Sequence, residues 1–316
     1  MKNLLQFNNA MAKSFFLMVI VHLYCQIALG QQAPTSLANY FGAIRNGEQN
    51  SLPYQLLRQQ GLLDDHIRVI DTNLSDTLST IRRACYQSLD VMQKSATAPA
   101  TKQQILALQL QGVEDESPDI VGLSIQNLSS VPVSLFNASQ KTILIQALDR
   151  QVPKKEVLIK IVGTLKDESA APTLRQLSQP GNSGKVRWAA YLALARLGDQ
   201  AAINLVNNKV RGVEVNDDMV YEMAPSIIYT QQKQLYDYLV ELLYSNEKNC
   251  ESANPDQTNA INCAYRVLEL LAPEIESFPI ATTASGDLQT KSYQEALVTA
   301  RDWFLSNREF TIKDTN

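Results

Sequence analysis

Residues 186–199 read VRWAAYLALARLGD and predict an α-helix with one apolar side. The apolar residues recur in the order Val186, Ala189, Ala190, Ala193, Leu194 and Leu197. Because this spacing repeats with the turn of an α-helix, these residues are predicted to share the face that packs on the core. Gly198 is expected to end the helix, and Asp199 can cap a following helix over residues 200–208.

A shorter helix is predicted just before this one. Residues 169–177 read SAAPTLRQL, with Pro172 in the first turn, where its missing N–H costs little. Residues 179–184 read QPGNSG and predict the turn between the two helices. Residues 81–89, IRRACYQSL, are similar to the second helix and align with it without a gap, with identical Arg, Ala, Tyr and Leu positions. A repeated helix-turn-helix unit is typical of an α-solenoid.

This segment resembles a HEAT repeat of the short, bilin-lyase-like kind. That family has a proline in the first helix, Val-Arg-x-Ala-Ala in the second and Leu-Gly-Asp at its end. The chain matches this pattern at Pro172, at residues 186–190 and at residues 197–199. It departs from the pattern just before Val-Arg, where the family usually has an acidic residue and this chain has Lys185. The resemblance extends over about residues 75–210. It implies an all-α fold, an α-α superhelix of helical hairpins whose surface binds other proteins.

The composition favours a helical protein without catalytic function. The chain has 316 residues, 45% of them hydrophobic, and its 12 glycines and 12 prolines are too few for the many turns of a sandwich or barrel. Its two histidines, His22 and His66, exclude His-rich metal sites and most His-dependent catalysis. We therefore predict no catalytic residue, no metal and no cofactor, and we expect His66 to lie on the surface.

Residues 1–30 are predicted to be a signal peptide. Lys2 and Lys13 supply positive charge, residues 15–21 read FFLMVIV, and residues 28–30 read ALG, which suits cleavage after Gly30. The alternative is an uncleaved membrane anchor, but residues 15–29 fall short of the roughly 20 apolar residues that span a bilayer. We therefore expect an exported protein, periplasmic or extracellular, without stable membrane insertion.

The charge of the remaining chain argues against nucleic-acid binding. Cleavage after Gly30 would remove two lysines and no acidic residue, which leaves 26 basic and 32 acidic residues. Affinity for nucleic acids depends mainly on the neutralisation of phosphates by basic side chains. An acidic chain without a basic stripe is a poor candidate for that role.

The sequence divides the mature chain into three predicted segments. Residues 31–74 form an N-terminal helical cap, in which Leu37, Tyr40, Phe41 and Ile44 share one side of the first helix. Residues 75–245 hold the HEAT-like repeats. Residues 246–316 form a C-terminal helical segment, with a polar insertion at 245–259, a helix at 260–271 and a last helix at about 288–305.

Three cysteines follow the predicted signal peptide. Cys250 and Cys263 bracket the polar insertion, and an exported protein can join them in a disulfide. A zinc site is the alternative, but it would need further soft ligands nearby. Cys85 is predicted to be a buried free thiol, on a helix face shared with Leu78, Ile81 and Leu89.

Tyrosine and tryptophan supply the candidate partner-binding residues. Five of the 12 tyrosines lie between residues 221 and 244, and tyrosine suits contacts with peptides or glycans. The candidates are Trp188, Tyr191, Tyr221, Tyr229 and Tyr236. The alternative is that these side chains pack between neighbouring helices.

These observations predict an exported, non-catalytic scaffold that binds another exported protein. The alternative is an enzyme or a small-ligand carrier on the same fold, with a site lined by tyrosines and acidic residues.

Overall fold

The computed structural model describes residues 34–48, 51–252, 259–283 and 285–314. Over these residues the chain forms α-helices joined by short 3₁₀ and π-helical turns, with isolated β-bridges and no strand. The predicted all-α fold class is therefore confirmed. The predicted signal peptide lies outside the described residues. None of the described helices is both long enough and apolar enough to cross a membrane.

The chain divides into two compact units, the first ending at Gly112 and the second beginning at Val113. The first unit contains α1 (Leu37–Arg45), α2 (Tyr54–Leu57), α3 (Leu63–Asp71), α4 (Ser79–Ser95) and α5 (Pro99–Gln111). The central helix is α4, which packs against the four others. Its buried face includes Ile81, Cys85 and Leu89, as predicted, but Leu78 precedes the helix and is 46% exposed.

The second unit contains ten α-helices among its described residues. They are α6 (Pro118–Leu128), α7 (Ala138–Ala147), α8 (Lys155–Thr164), α9 (Ala171–Leu177), α10 (Gly184–Arg196), α11 (Gln200–Arg211), α12 (Ala224–Thr230), α13 (Lys233–Leu243), α14 (Ala264–Leu271) and α15 (Tyr293–Ser306). A π-helical turn at Met219–Met223 leads into α12, and a 3₁₀ turn at Ala272–Glu274 follows α14.

The predicted boundaries around α10 are confirmed. Pro172 lies in the first turn of α9, and the Ser183 hydroxyl caps α10 by accepting from the Val186 amide. Gly198 has a φ of +86°, a left-handed conformation that glycine adopts without strain. Asp199 caps α11 by accepting from the Ala202 amide. Local sequence signals therefore set both ends of this helical hairpin.

Helices of the second unit stack in two lines. Each even-numbered helix packs on the next one, from α6 through α8, α10 and α12 to α14. The helices α11, α13 and α15 form a second line in the same way, while α7 and α9 pack on α8 and α10. In a stack of helical hairpins, each helix contacts the corresponding helix of the next hairpin, two helices further along the chain. The unit is thus compatible with a helical solenoid.

The seam between α8 and α10 is the most extensive helix contact in the described part of the chain. Small residues line it, with Gly163 on α8 facing Ala193 on α10. A Cβ on Gly163 would lie 2.8 Å from the Cβ and 2.9 Å from the Cα of Ala193, and it would also meet the Tyr229 hydroxyl. The two helices can approach this closely only because residue 163 has no side chain.

Several helix boundaries differ from the predictions. The helix predicted from residue 169 begins at Ala171, because Glu168–Ala170 form a 3₁₀ turn. The helix after Asp199 continues to Arg211, three residues beyond the predicted end. The helix predicted from 260 begins at Ala264, because Ile261 pairs with Cys250 and the Asn262 side chain accepts from the Ala264 amide. The last helix begins at Tyr293, capped by Ser292, whereas Leu288 belongs to a turn bridged to Thr282.

The structure places Cys250 and Cys263 at disulfide-bonding distance, with their Cα atoms 5.1 Å apart. The Ile261 amide donates to the Cys250 carbonyl at 2.7 Å, so backbone pairing already brings the two ends of the polar insertion together. Cys85 is free and buried, as predicted. Burial raises the pKa of its thiol to about 12.

We expect Gly163→Ala to lower the free energy of unfolding by about 1–3 kcal/mol, since overpacking a close seam forces the helices apart. Urea denaturation gives the measurement. Gly184→Ala is the matched control, because a Cβ there meets nothing within 4 Å, and it should be neutral or slightly stabilising. Equal stability of the Gly163→Ala variant and the wild type would contradict the close approach of α8 and α10.

We also expect Cys85 to resist iodoacetamide in the native protein at pH 8, because a thiol with a raised pKa holds almost no thiolate. Peptide mapping without reductant should join Cys250 to Cys263. In denaturant the Cys85 peptide should be alkylated at once. Rapid native labelling of Cys85, or its recovery in a disulfide, would contradict its burial.

Candidate functional site

Tyr229 connects three helices of the even-numbered line. Its side chain leaves α12, and its hydroxyl donates to the Lys160 carbonyl on α8 at 2.7 Å. Arg196, at the end of α10, donates to the Tyr229 carbonyl. The hydroxyl reaches α8 because Gly163 leaves room beside it. Tyr229 therefore ties α12 to the seam between α8 and α10.

Two cations flank the Tyr229 ring. The Arg196 guanidinium carbon lies 5.1 Å from the ring centroid and the Lys160 ammonium lies 5.8 Å from it, both within cation–π range. Burial raises the pKa of the Tyr229 hydroxyl well above its ordinary value, which keeps this group neutral. Burial also lowers the pKa of Lys160, an effect that Glu156 opposes.

A cavity of about 250 Å³ opens beside Tyr229, and we refer to it as the Tyr229 cavity. It lies between the end of α6, the 3₁₀ turn Val133–Leu135 and α8. Its lining residues are Leu128, Ser129, Val131, Val133, Phe136, Val157, Lys160, Ile161, Thr164, Leu165 and Tyr229. Most of this lining is apolar, and Lys160 is the only charged residue that the described part of the chain contributes to it. A concave, mainly apolar cavity of this kind is suited to binding a small ligand.

Lys313 and Asp314, near the C-terminal end of the described chain, make polar contacts with residues that follow α14 and α8. The Lys313 ammonium donates to the Pro273 carbonyl and its amide donates to the Glu274 carbonyl, each at 2.8 Å. Asp314 pairs with Lys166, just after α8, at 3.3 Å. Glu274 has a buried Oε2 that accepts no hydrogen bond within the described residues. These contacts hold residues 313–314 against the 3₁₀ turn that follows α14 and against Lys166 after α8.

The five candidate partner-binding residues occupy different environments. Tyr221 is 59% exposed in the π-helical turn, and Trp188 and Tyr191 are half-buried on α10. The Lys209 ammonium lies 5.1 Å from the Trp188 ring centroid. Tyr229 lines its cavity. Tyr236 is completely buried and donates to the Ile228 carbonyl, so its side chain presents no surface to a partner.

His66 also differs from the prediction. It is 5% exposed on α3 of the first unit, because the amphipathic helix turns this position toward the core. Burial lowers the pKa of its imidazole, against a smaller opposing effect of Asp65. Among the described residues its Nδ1 has no hydrogen-bond partner. His66 is therefore an interior side chain and not a surface one.

Within the described ranges, no group of three His, Cys, Asp or Glu side chains could hold a metal ion. Comparison of the sequence with protein-family models gave no match, and comparison with curated proteins gave none either.

Sequence reasoning did not single out Lys160, Gly163, Arg196 or Glu274. The signal at Gly163 was its position inside an apolar helical run, where a glycine costs stability and close packing of another element is one reason for it. No sequence signal identified Lys160, Arg196 or Glu274, because each is a charged residue in an ordinary amphipathic pattern. Their importance comes from burial between helices that are far apart in the sequence.

We expect Glu274 to make stability depend on pH. Burial raises the pKa of its carboxyl above the ordinary 4.5, although Lys313, Tyr236 and Arg196 act to lower it. The folded state therefore binds this proton more tightly than the unfolded state. The resulting stabilisation is complete below pH 4.5 and is lost as the pH rises through the folded pKa.

Glu274→Gln removes this titration. Chemical denaturation from pH 3.5 to 8 should show the free energy of unfolding of the wild type falling relative to that of the variant as the pH rises. The difference between the two proteins cancels the titration of all other groups. A difference that stays constant with pH would contradict the raised pKa.

Proposed function

We propose that this chain is an exported, non-catalytic scaffold of HEAT-like repeats that binds another protein. The two lines of stacked helices support the repeat assignment, since α9 and α10 form a hairpin with Pro172 in its first helix and Gly198-Asp199 after its second. The cysteine pair at disulfide distance is compatible with export. The protein-binding role rests on the surface of the last helix.

The observation that carries this role is a pair of exposed apolar residues on α15, with the charged residues Arg301 and Asp302 between them. Val298 is 52% exposed and Leu305 is 59% exposed, and they lie two helical turns apart on the same side. We call this surface the α15 face. The opposite side of the helix packs inward through Ala296, Leu297, Ala300 and Phe304. Exposed apolar residues on one helix face, bordered by concave surface, are typical of a protein-binding site.

Two grooves border the α15 face. One, of about 510 Å³, runs between α15 and the residues beside the disulfide, including Lys248, Asn262 and Tyr265. The other, of about 580 Å³, lies between the end of α15 and residues 306–311. Val298 lines the first groove and Leu305 the second, and both grooves mix polar and apolar surface. Apolar anchors beside partly polar grooves resemble the centre and the rim of a protein interface.

A small-ligand carrier is the second candidate function. The Tyr229 cavity favours it, since it is concave, mainly apolar and lined by one charged side chain. The two functions use different surfaces of the second unit, so each can be tested without disturbing the other.

We expect the double variant Val298→Asp, Leu305→Asp to lose partner binding by tenfold or more, because an unpaired carboxylate is costly to bury in an interface. Cross-linked affinity capture from the exported fraction of the source cells, followed by quantitative mass spectrometry, gives the measurement. The thermal unfolding temperature should stay within about a degree or two of the wild type, as is usual for exposed substitutions.

Leu205→Asp is the matched control. Leu205 is an exposed apolar residue on α11, 37% accessible and distant from α15 in the sequence. Its replacement should leave capture unchanged. A partner captured equally by the double variant would contradict the α15 face, and capture of no protein by the wild type would contradict the scaffold function.

A further inference from the structure

The Tyr229 cavity combines apolar walls with one cation. Val131, Phe136 and Ile161 are each less than 10% exposed and form much of the wall. Among the residues that the structure describes, no acidic side chain lines the cavity. Within the described residues the Lys160 ammonium makes no ion pair and donates no hydrogen bond. It lies over the Tyr229 ring, and Glu156, one turn earlier on α8, is an acidic side chain that acts on it electrostatically. A positive charge in this position favours an anionic ligand group.

The other polar side chains of the cavity are already engaged. The Tyr229 hydroxyl donates to the Lys160 carbonyl at 2.7 Å, and the Thr164 hydroxyl donates to the same oxygen at 2.9 Å. The Ser129 hydroxyl donates to the Gln126 carbonyl at 2.6 Å. Lys160 is therefore the lining side chain with donors to offer a ligand.

We propose that the Tyr229 cavity binds a small carboxylic acid whose carboxylate pairs with the Lys160 ammonium and whose apolar body lies among Val131, Phe136 and Ile161. This inference rests on the small-ligand carrier function and is independent of the scaffold function. The anion would replace the water that Lys160 loses through burial. It would also restore the pKa of Lys160 toward its ordinary value.

The volume of the Tyr229 cavity limits the size of the ligand's apolar part. An apolar cavity of about 150 Å³ is enough to hold benzene, and drug-sized ligands occupy roughly 300–1,000 Å³. At about 250 Å³ the Tyr229 cavity fits a single ring or a short alkyl chain. A phosphate or a sugar fits poorly, because each needs several converging donors and the cavity offers one side chain.

Octanoate and 1-octanol are suitable probes, since they share one alkyl chain and differ in charge. Isothermal titration calorimetry on the full chain at pH 7 should show binding of octanoate at least tenfold tighter than binding of octanol. Similar affinity for both would overturn the carboxylate assignment and leave the carrier function standing. Binding of neither probe would overturn both.

Lys160→Met keeps the length and the apolar stem of the side chain and removes its charge. We expect this variant to bind octanoate at least tenfold more weakly and octanol unchanged, because a hydrogen bond to a charged group typically contributes more than a factor of ten. Lys209→Met is the matched control, since Lys209 also lies over an aromatic ring but outside the cavity. Unchanged octanoate affinity in Lys160→Met would overturn the role of Lys160.

A second variant tests whether the alkyl chain of the ligand lies in the Tyr229 cavity. Val133 lines the cavity from a surface turn, so Val133→Phe should fill the space without disturbing the α8–α10 seam. Octanoate and octanol should then both bind at least tenfold more weakly, while the thermal unfolding temperature stays close to that of the wild type. Undiminished binding to this stable variant would place the ligand elsewhere and overturn the proposal.

Discussion

The absence of a side chain at Gly163 is the constraint on which the second unit depends. It lets α8 approach α10 at Ala193, and the two helices form the widest seam among the described elements. The same gap admits the Tyr229 hydroxyl, which brings α12 onto α8 through the Lys160 carbonyl. A single glycine thus sets the spacing of three consecutive helices in the even-numbered line. Interiors packed to this density respond to even one added methyl group.

This packing also explains where the charges lie. Because Tyr229 occupies the space beside the seam, Lys160 and Arg196 are held against its ring and partly removed from water. Between α8 and the end of α6 an apolar cavity remains, with Lys160 as its charged lining residue. Holding Lys160 half-buried without an ion pair among the described residues costs stability. Such a cost is often met at sites that bind a ligand, which connects the packing of the helices to the proposed carboxylate site.

The sequence predicted the parts of the fold that local signals control. The hairpin of α9 and α10 was predicted with its proline, its capping residues and Gly198, because each acts within a few residues of its own position. Tyr229 was identified as a candidate, but its environment was not, since its contacts on α8 lie 69 residues earlier. The prediction of a surface position for His66 was wrong, because an amphipathic pattern does not show which polar side chains fit inside. The burial of Tyr236 follows the alternative in which these tyrosines pack between helices. Pairing across the polar insertion was predictable from two cysteines that bracket one loop.

Native-state hydrogen exchange with mass spectrometry tests the central claim most directly, that the α8–α10 seam organises the second unit. Peptides from α8 and α10 should exchange most slowly and only through global unfolding, while peptides from α15 should exchange faster through local opening. Introducing Ala at position 163 should accelerate exchange in α8, α10 and α12 together, because Tyr229 couples the third helix to the other two. Exchange in α8 and α10 that is as fast as in α15, or acceleration confined to α8, would contradict the account.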